Sequence, residues 1–134
     1  MEELRGRLES LRRAYERLLE ALRIDPKEAE IAIDATIQRF EFTFELSWKT
    51  IRAFAKYLNS GECNSGRSCI KMAFRLGWIE EEETWLDFLE ARNLTSHTYD
   101  QETAMKVYEI IRQNHRAFES LIGKLQEELE SIES

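Results

Sequence analysis

The 134-residue chain has few residues that interrupt helices: one proline and five glycines, against 34% Asp, Glu, Lys and Arg. Few helix breakers and many charges are typical of long helices with solvated faces. No apolar run approaches the ~20 residues that a membrane-spanning helix requires, and the charged N-terminus does not resemble a signal peptide. We therefore expect a cytoplasmic protein without a membrane segment, folded as a single domain over residues 1–134.

The chain also has only two cysteines, Cys63 and Cys69. A metal or redox site would show tighter cysteine pairs and a second pair. We expect two reduced thiols that flank a turn, and we predict no metal site and no cofactor.

The chain also lacks an excess of basic over acidic residues. The formal net charge of −7 argues against a broad nucleic-acid-binding surface, although it leaves room for a small local basic site.

Apolar residues recur every three or four positions through most of the chain, which predicts amphipathic helices. No stretch alternates long enough to be a strand. Because the connections are short, we predict an all-α, antiparallel four- to five-helix up-and-down bundle. The expected helices cover residues 3–24, 26–58, about 66–76, about 82–95, and a last one from Asp100 to near Ile132.

Residues with special backbone preferences mark the expected helix ends. Asp25 can cap the second helix, with Pro26 in its first position. Gly61 can end that helix in a left-handed turn. Ser65 can cap the third helix, and Gly77 can stop it. Asp100 can cap the last helix.

The long second helix is apolar over much of its surface, so we expect it to contact several neighbours, with a second subunit as an open alternative. Phe40, Phe44 and Trp48 are read as core or dimer interface. A polar line includes Glu45 and Lys49, which can form an i, i+4 pair. Alternatively, this line faces a cleft and steadies Arg92.

The helical pattern stops near residues 92–100, where polar groups able to do chemistry accumulate. His97 lies five positions after Arg92, so on one continuous helix they would lie about 140° apart. Two arrangements could join them. The helix could end near residues 94–96, or the Arg and His of two subunits could meet across a two-fold axis.

An Arg beside a His suits attack on a phosphodiester. The imidazole can take or give a proton, and the guanidinium can hold charge that develops on phosphate oxygens. RNA supplies its own nucleophile, the 2′-hydroxyl, so no metal is needed in principle. Asn93 could position a phosphate oxygen or His97, and Tyr99 could donate to phosphate or be modified. The plainer alternative is a set of ion-pairing and capping groups at a helix end.

Two blocks of the sequence resemble a known family. The segment from Arg92 to Tyr99 is similar to the Arg-x4-His-x-Tyr signature of the HEPN superfamily, the higher eukaryotes and prokaryotes nucleotide-binding domains. The block Gln38–Thr50, together with Trp85–Glu90, resembles the subgroup of nucleotidyltransferase substrate-binding proteins. The resemblance covers roughly residues 10–125, and Ser65-Gly66 departs from it where Ser-Pro is common.

The resemblance implies an all-α homodimer, or a higher oligomer, paired with a minimal nucleotidyltransferase in a toxin–antitoxin system. It implies a metal-independent ribonuclease with a composite site from both subunits. Carried over by position, Arg92 and His97 would be catalytic, Asn93 supporting, and Tyr99 the tyrosine that the partner modifies with AMP. Two other functions stay open: a non-catalytic substrate-binding subunit and a plain helical scaffold. His115, the second histidine, is interpreted as a surface or packing residue.

Overall fold

The computed structural model describes residues 1–28 and 30–134, and in this part of the chain all regular structure is helical. The predicted all-α fold class is therefore confirmed. Residue 29, inside the expected helix 26–58, lies outside the described residues. The helices are α1 (Glu2–Leu22), α2 (Ile31–Tyr57), α3 (Gly66–Arg75), α4 (Glu82–Leu94), a 3₁₀ helix (Thr95–His97), α5 (Gln101–Asn114) and α6 (Arg116–Glu133).

Helices α1 and α6 run antiparallel, as their side-chain contacts show. Arg5 Nη2 lies 3.0 Å from Glu133 Oε2, and Arg12 Nη2 donates to Gln126 Oε1 at 3.0 Å. Such exposed contacts contribute at most about 1 kcal/mol each. The main stabilisation comes from apolar burial. The buried leucines of the two helices are Leu4, Leu8, Leu11 and Leu18 of α1, with Leu121, Leu125 and Leu129 of α6.

An aromatic cluster joins α2, α4 and α6 at the centre of the core. Phe88 of α4 stacks on Phe118 of α6 with ring centroids 4.7 Å apart, and Trp85 meets Phe118 edge-on at 5.3 Å. Phe40 and Phe44 of α2 complete the cluster and are buried, as expected for core residues. Aromatic pairs of this kind add about 0.5–1.5 kcal/mol beyond burial. The cluster anchors α4, which carries Arg92, against α2.

The expected start of the second helix is wrong. Helix α2 begins at Ile31, and residues 26–28 form a turn. The Asp25 carboxylate accepts a hydrogen bond from the Lys27 backbone N–H at 2.9 Å. This Asx turn satisfies Asp25 locally, so it does not cap the helix. Pro26 accordingly lies before the helix rather than in its first position.

The end of α2 also differs from the expectation. Asn59, with φ of 53°, takes the left-handed position that was assigned to Gly61. Its neighbour Ser60 donates to the carbonyl of Ala55 at 2.9 Å, which closes a Schellman motif. Asparagine tolerates this backbone region better than most residues.

The boundaries of α3 are as predicted. Ser65 caps the helix: its hydroxyl accepts a hydrogen bond from the Ser68 backbone N–H at 3.1 Å. In return, the Ser68 hydroxyl accepts a hydrogen bond from the Ser65 backbone N–H. Gly77, with φ of 79°, ends the helix, and Trp78 donates to the carbonyl of Ala73 at 2.9 Å.

The two cysteines form a disulfide, so the expectation of reduced thiols is wrong. The turn before α3 brings Cys63 and Cys69, six positions apart in sequence, to a Cα–Cα distance of 5.1 Å. That distance suits a disulfide. Both side chains are buried against the core. The turn between them was expected, but their spacing in the sequence did not indicate the bond.

The last predicted helix is divided into α5 and α6 by His115. At the break, the Phe118 backbone N–H donates to the carbonyl of His115 at 3.0 Å. The described residues therefore contain six α-helices instead of four or five. No glycine or proline lies near the break, so the sequence carries no helix-breaking signal there.

Candidate active site

The segment after α4 is held by its own polar side chains. Thr95 Oγ1 donates to the Arg92 carbonyl at 2.7 Å, and Thr98 Oγ1 donates to the Thr95 carbonyl at 3.0 Å. These bonds satisfy carbonyls that the end of a helix leaves without partners. Helix α4 thus ends at Leu94, and His97 lies in the 3₁₀ helix that follows. The helix end thus matches the first of the two arrangements considered from the sequence, although it does not bring His97 into contact with Arg92.

Asp100 closes the segment by capping α5, as predicted. Its carboxylate accepts hydrogen bonds from the Thr103 hydroxyl at 2.7 Å and the Thr103 backbone N–H at 3.3 Å. These bonds, the hydroxyl bond above all, lower the pKa of Asp100. The carboxylate therefore stays ionised at the positive end of the α5 dipole, where negative charge is stabilising.

All four predicted site residues, Arg92, Asn93, His97 and Tyr99, are exposed on one short surface segment. The rings of His97 and Tyr99 lie 6.3 Å apart, centroid to centroid, in an edge-to-face orientation. Tyr99 is 87% exposed, so its hydroxyl is open to a modifying enzyme or a substrate.

Arg92 is held by Glu45 of α2. Its Nε donates to Glu45 Oε1 at 2.8 Å, and Glu45 Oε2 accepts from the Trp48 indole at 3.2 Å. The carboxylate thus connects α4 to the middle of α2. Because only Nε is used, the two terminal nitrogens of the guanidinium have no hydrogen-bond partner among the described residues. They can still bind an anion in a forked geometry.

This contact decides between two readings of the polar line on α2. In the described part of the chain, Glu45 pairs with Arg92 and not with Lys49. The Lys49 ammonium lies 5.8 Å from the centroid of the Trp48 ring instead. The interpretation that the polar line steadies Arg92 is therefore confirmed at Glu45.

Arg92 and His97 are not bonded to each other within residues 1–28 and 30–134. Each is exposed, and Arg92 is directed to Glu45. One copy of the chain thus presents the two groups separately on its surface.

A groove of about 650 Å³ runs beside Tyr99, between the start of α2 and the start of α5. Its wall includes Asp34 and two exposed apolar side chains, Ile31 (73% exposed) and Met105. Neither Ile31 nor Met105 was identified from the sequence. The two are distant along the chain, so no local pattern in the sequence links them.

The second histidine, His115, has an internal partner. Its Nδ1 lies 3.0 Å from the Tyr15 hydroxyl. Burial, and then the charge of Arg116, lower the pKa of His115, while burial raises the pKa of Tyr15 to about 12. A protonated tyrosine hydroxyl can donate to the unprotonated Nδ1 of a neutral imidazole. The interpretation of His115 as a packing residue is confirmed by this contact.

Two further features of the described residues bear on function. They contain no group of three or more His, Cys, Asp or Glu side chains placed to hold a metal ion. None of their helices combines the length and apolar character needed to cross a bilayer.

Comparisons with known proteins agree with this architecture. A protein from Thermus thermophilus superimposes with a TM-score of 0.79 at 31% identity, covering 86% of this chain and 98% of that one. HI0074 from Haemophilus influenzae, described as showing the fold of a nucleotidyltransferase substrate-binding domain, superimposes with a TM-score of 0.77 at 28% identity and covers 89% and 98%. A toxin–antitoxin structure with AMP-PNP shares the fold at 16% identity, with a TM-score of 0.71 and coverage of 91% and 96%.

The sequence is also similar to a curated protein. Probable ribonuclease HepT from Haemophilus influenzae is 38% identical over 80 residues, which cover 57% of this chain and 55% of the relative. The match thus spans about half of the relative's length. The family model described as "Nucleotidyltransferase substrate binding protein like" matches residues 6–130. This chain, with its HEPN-type signature, therefore belongs to the nucleotidyltransferase substrate-binding protein family.

Proposed function

We propose that this protein is the toxin of a toxin–antitoxin pair and acts as a metal-independent ribonuclease. Arg92 and His97 are the catalytic residues of a composite site at a homodimer interface, and Asn93 supports them. A partner nucleotidyltransferase silences the site by adding AMP to Tyr99. One observation carries the proposal: Glu45 orients Arg92, with its terminal nitrogens unbonded, in the same exposed segment as His97. The similarity to a probable ribonuclease supports it.

The reaction uses the nucleophile that RNA carries. A His97 imidazole takes the proton of the 2′-hydroxyl while the oxygen attacks the adjacent phosphorus, and the bond from phosphorus to the 5′-oxygen breaks. The departing oxygen takes a proton from a second imidazole, leaving a 2′,3′-cyclic phosphate and a 5′-hydroxyl. The Arg92 guanidinium holds the negative charge that develops on the non-bridging oxygens.

A homodimer provides the second imidazole. Within one copy, Arg92 and His97 are separate and exposed. A two-fold axis that passes near this segment brings two arginines and two histidines into one cleft. Closure by the second copy would also exclude water, which strengthens the effect of each guanidinium on phosphate charge.

Addition of AMP to Tyr99 would silence this site for two reasons. The tyrosine is 87% exposed, so a second enzyme can reach its hydroxyl. Its ring lies 6.3 Å from that of His97, so the added phosphate and nucleoside would occupy the space where RNA must bind. The phosphate would also place negative charge beside Arg92 and His97.

The direct experiment is an RNA-cleavage assay in EDTA with protein that is expressed and purified without its partner nucleotidyltransferase. We expect cleavage, with 2′,3′-cyclic phosphate ends. Intact RNA, with protein of unmodified mass, would exclude the ribonuclease. Co-expression with a partner nucleotidyltransferase should raise the intact mass by whole AMP units. Tyr99→Phe should remain unmodified and still cleave.

A non-catalytic role as the substrate-binding subunit of a nucleotidyltransferase is the second candidate. The 28% identity to HI0074, whose fold is described as that of a substrate-binding domain, favours it, as does the net charge of −7. This role predicts a stable complex and nucleotide binding without cleavage. Calorimetry with ATP, beside the cleavage assay, separates the two functions.

A further inference from the structure

A second groove, of about 700 Å³, lies between α1 and α2 and differs sharply in charge from the groove beside Tyr99. It is lined by four cations and one carboxylate, although the whole chain is acidic. The groove beside Tyr99 is lined by two carboxylates and no cation. The charged residues of the α1/α2 groove are Arg13, Arg17, Arg39, Glu45 and Lys49.

Two of these cations are available to a ligand. Neither Arg17 nor Lys49 forms an ion pair with a described residue. Arg13 pairs with Glu9 at 3.2 Å, and Arg39 donates to the Arg17 carbonyl at 2.8 Å. Arg39 therefore helps to shape the groove, while Arg17 and Lys49 place uncompensated positive charge on its two sides.

An exposed aromatic side chain lies between these charges. Phe42 projects into the groove and is 59% exposed, which is unusual for a phenylalanine in a helix with a large core. The opposite wall, on α1, has two small residues, Ser10 and Ala14, beside its two arginines. A cationic groove with an accessible aromatic face is the arrangement that binds single-stranded nucleic acid, because phosphates meet the cations and a base stacks on the ring.

The groove is continuous with the site. Glu45 lines it and also binds Arg92 at 2.8 Å. A strand of RNA that follows the groove towards Glu45 would therefore reach the guanidinium that the reaction needs.

We infer that the α1/α2 groove binds the single-stranded RNA substrate next to the scissile phosphate, with a base stacked on Phe42 and phosphates held by Arg17 and Lys49. The inference rests on the proposed ribonuclease function. A second copy of this chain is the other occupant to consider. Two copies joined groove to groove would bring Arg17 and Lys49 of one copy against those of the other, which opposes association.

The test measures binding separately from cleavage. The probe is a fluorescein-labelled 2′-O-methyl oligonucleotide of roughly 12 residues, within the usual span of single-strand sites. It lacks the nucleophilic 2′-hydroxyl and so stays intact. Fluorescence anisotropy gives Kd for the wild type and for Phe42→Ala. The matched control is Phe74→Ala, an exposed phenylalanine on α3.

We expect Phe42→Ala to raise Kd by about 5-fold or more, since a stacking contact is lost. The double variant Arg17→Ala/Lys49→Ala should weaken binding and reduce the slope of log K against log salt by about 1.4, or 0.7 for each lost phosphate contact. Phe74→Ala, and Lys71→Ala/Arg75→Ala on α3, should bind as the wild type does.

Two results would overturn the inference. One is unchanged binding in both groove variants. The other is a change from dimer to monomer in Phe42→Ala, measured by light scattering, because the groove would then be an interface between copies. The wild type could fail to cleave RNA in EDTA while the groove variants still lose binding. That result would reject the ribonuclease function and retain the groove as a binding site for single-stranded RNA.

Discussion

The two histidines of this chain lie in opposite environments. His97 is exposed in the 3₁₀ helix after α4, and its imidazole has no hydrogen bond among the described residues. His115 is half-buried at the break between α5 and α6, where Nδ1 meets the Tyr15 hydroxyl. An imidazole bonded inside the protein contributes to stability, and one that faces solvent can exchange protons with a substrate. Position in the fold, not residue type, separates the two roles.

The largest expected effect is the loss of cleavage in His97→Ala. Removing a general acid–base group lowers the rate by about 10²- to 10⁴-fold, while the stability of an exposed residue should change little. His115→Gln is the control: cleavage should persist. Cleavage of labelled RNA in EDTA, with thermal unfolding of both variants, checks this. If the folded His115→Gln protein lost cleavage instead, the two roles would be reversed.

Glu45→Ala should lower the cleavage rate about 10-fold by releasing Arg92 from its orienting contact. Because Glu45 acts through Arg92, the fall should appear in kcat more than in KM. Glu45→Asp should recover part of the rate. Glu109→Ala removes the partner of Arg112, a similar ion pair on α5, and should leave cleavage unchanged. A rate equal to wild type in Glu45→Ala would show that Arg92 needs no support.

Tyr15→Phe should reduce the free energy of unfolding by about 1 kcal/mol, the usual value of one hydrogen bond, and leave cleavage intact. Tyr108→Phe is a matched control. Tyr108 is also buried, but its hydroxyl has no partner among the described residues. Urea unfolding of both variants gives the comparison. An equal loss in the two would mean that the contact with His115 adds no stability.

The smallest effect is a pH dependence from His115. Burial lowers its folded pKa below the ordinary value near 6.5. Between the two values the unfolded chain binds more protons, so the free energy of unfolding falls as pH drops through about 6.5 towards the folded pKa. His115→Gln should show a smaller fall. Urea titrations at closely spaced pH values measure the difference between the two proteins, and identical pH profiles would contradict the assignment.

Local signals in the sequence predicted the fold well where they acted alone. Ser65 and Asp100 cap helices as expected, and Gly77 ends α3. At both ends of α2 the expected residue was displaced by a nearby one. Asp25 bonds to the Lys27 N–H and so does not cap α2. Asn59 takes the left-handed position before Gly61 is reached.

Only part of the candidate site could be predicted from the sequence. The segment from Arg92 to Tyr99 stood out because its polar groups interrupt a helical pattern. Glu45 had two possible partners, Lys49 and Arg92, since nothing in the sequence indicates which neighbour it faces. The α1/α2 groove was missed because Arg17 and Lys49 lie on different helices, and each looks like an ordinary surface cation.

By itself, the sequence determined the helical class, the apolar faces and the polar character of residues 92–100, because periodicity, capping and side-chain types are local properties. Only the tertiary structure decided that Glu45 holds Arg92, that Cys63 joins Cys69 and that His115 bonds to Tyr15. It also gathered four cations into one groove of an acidic chain. Each of these contacts depends on how the helices cross or on where a turn reverses the chain. Tertiary packing sets both, and a local sequence pattern does not show them.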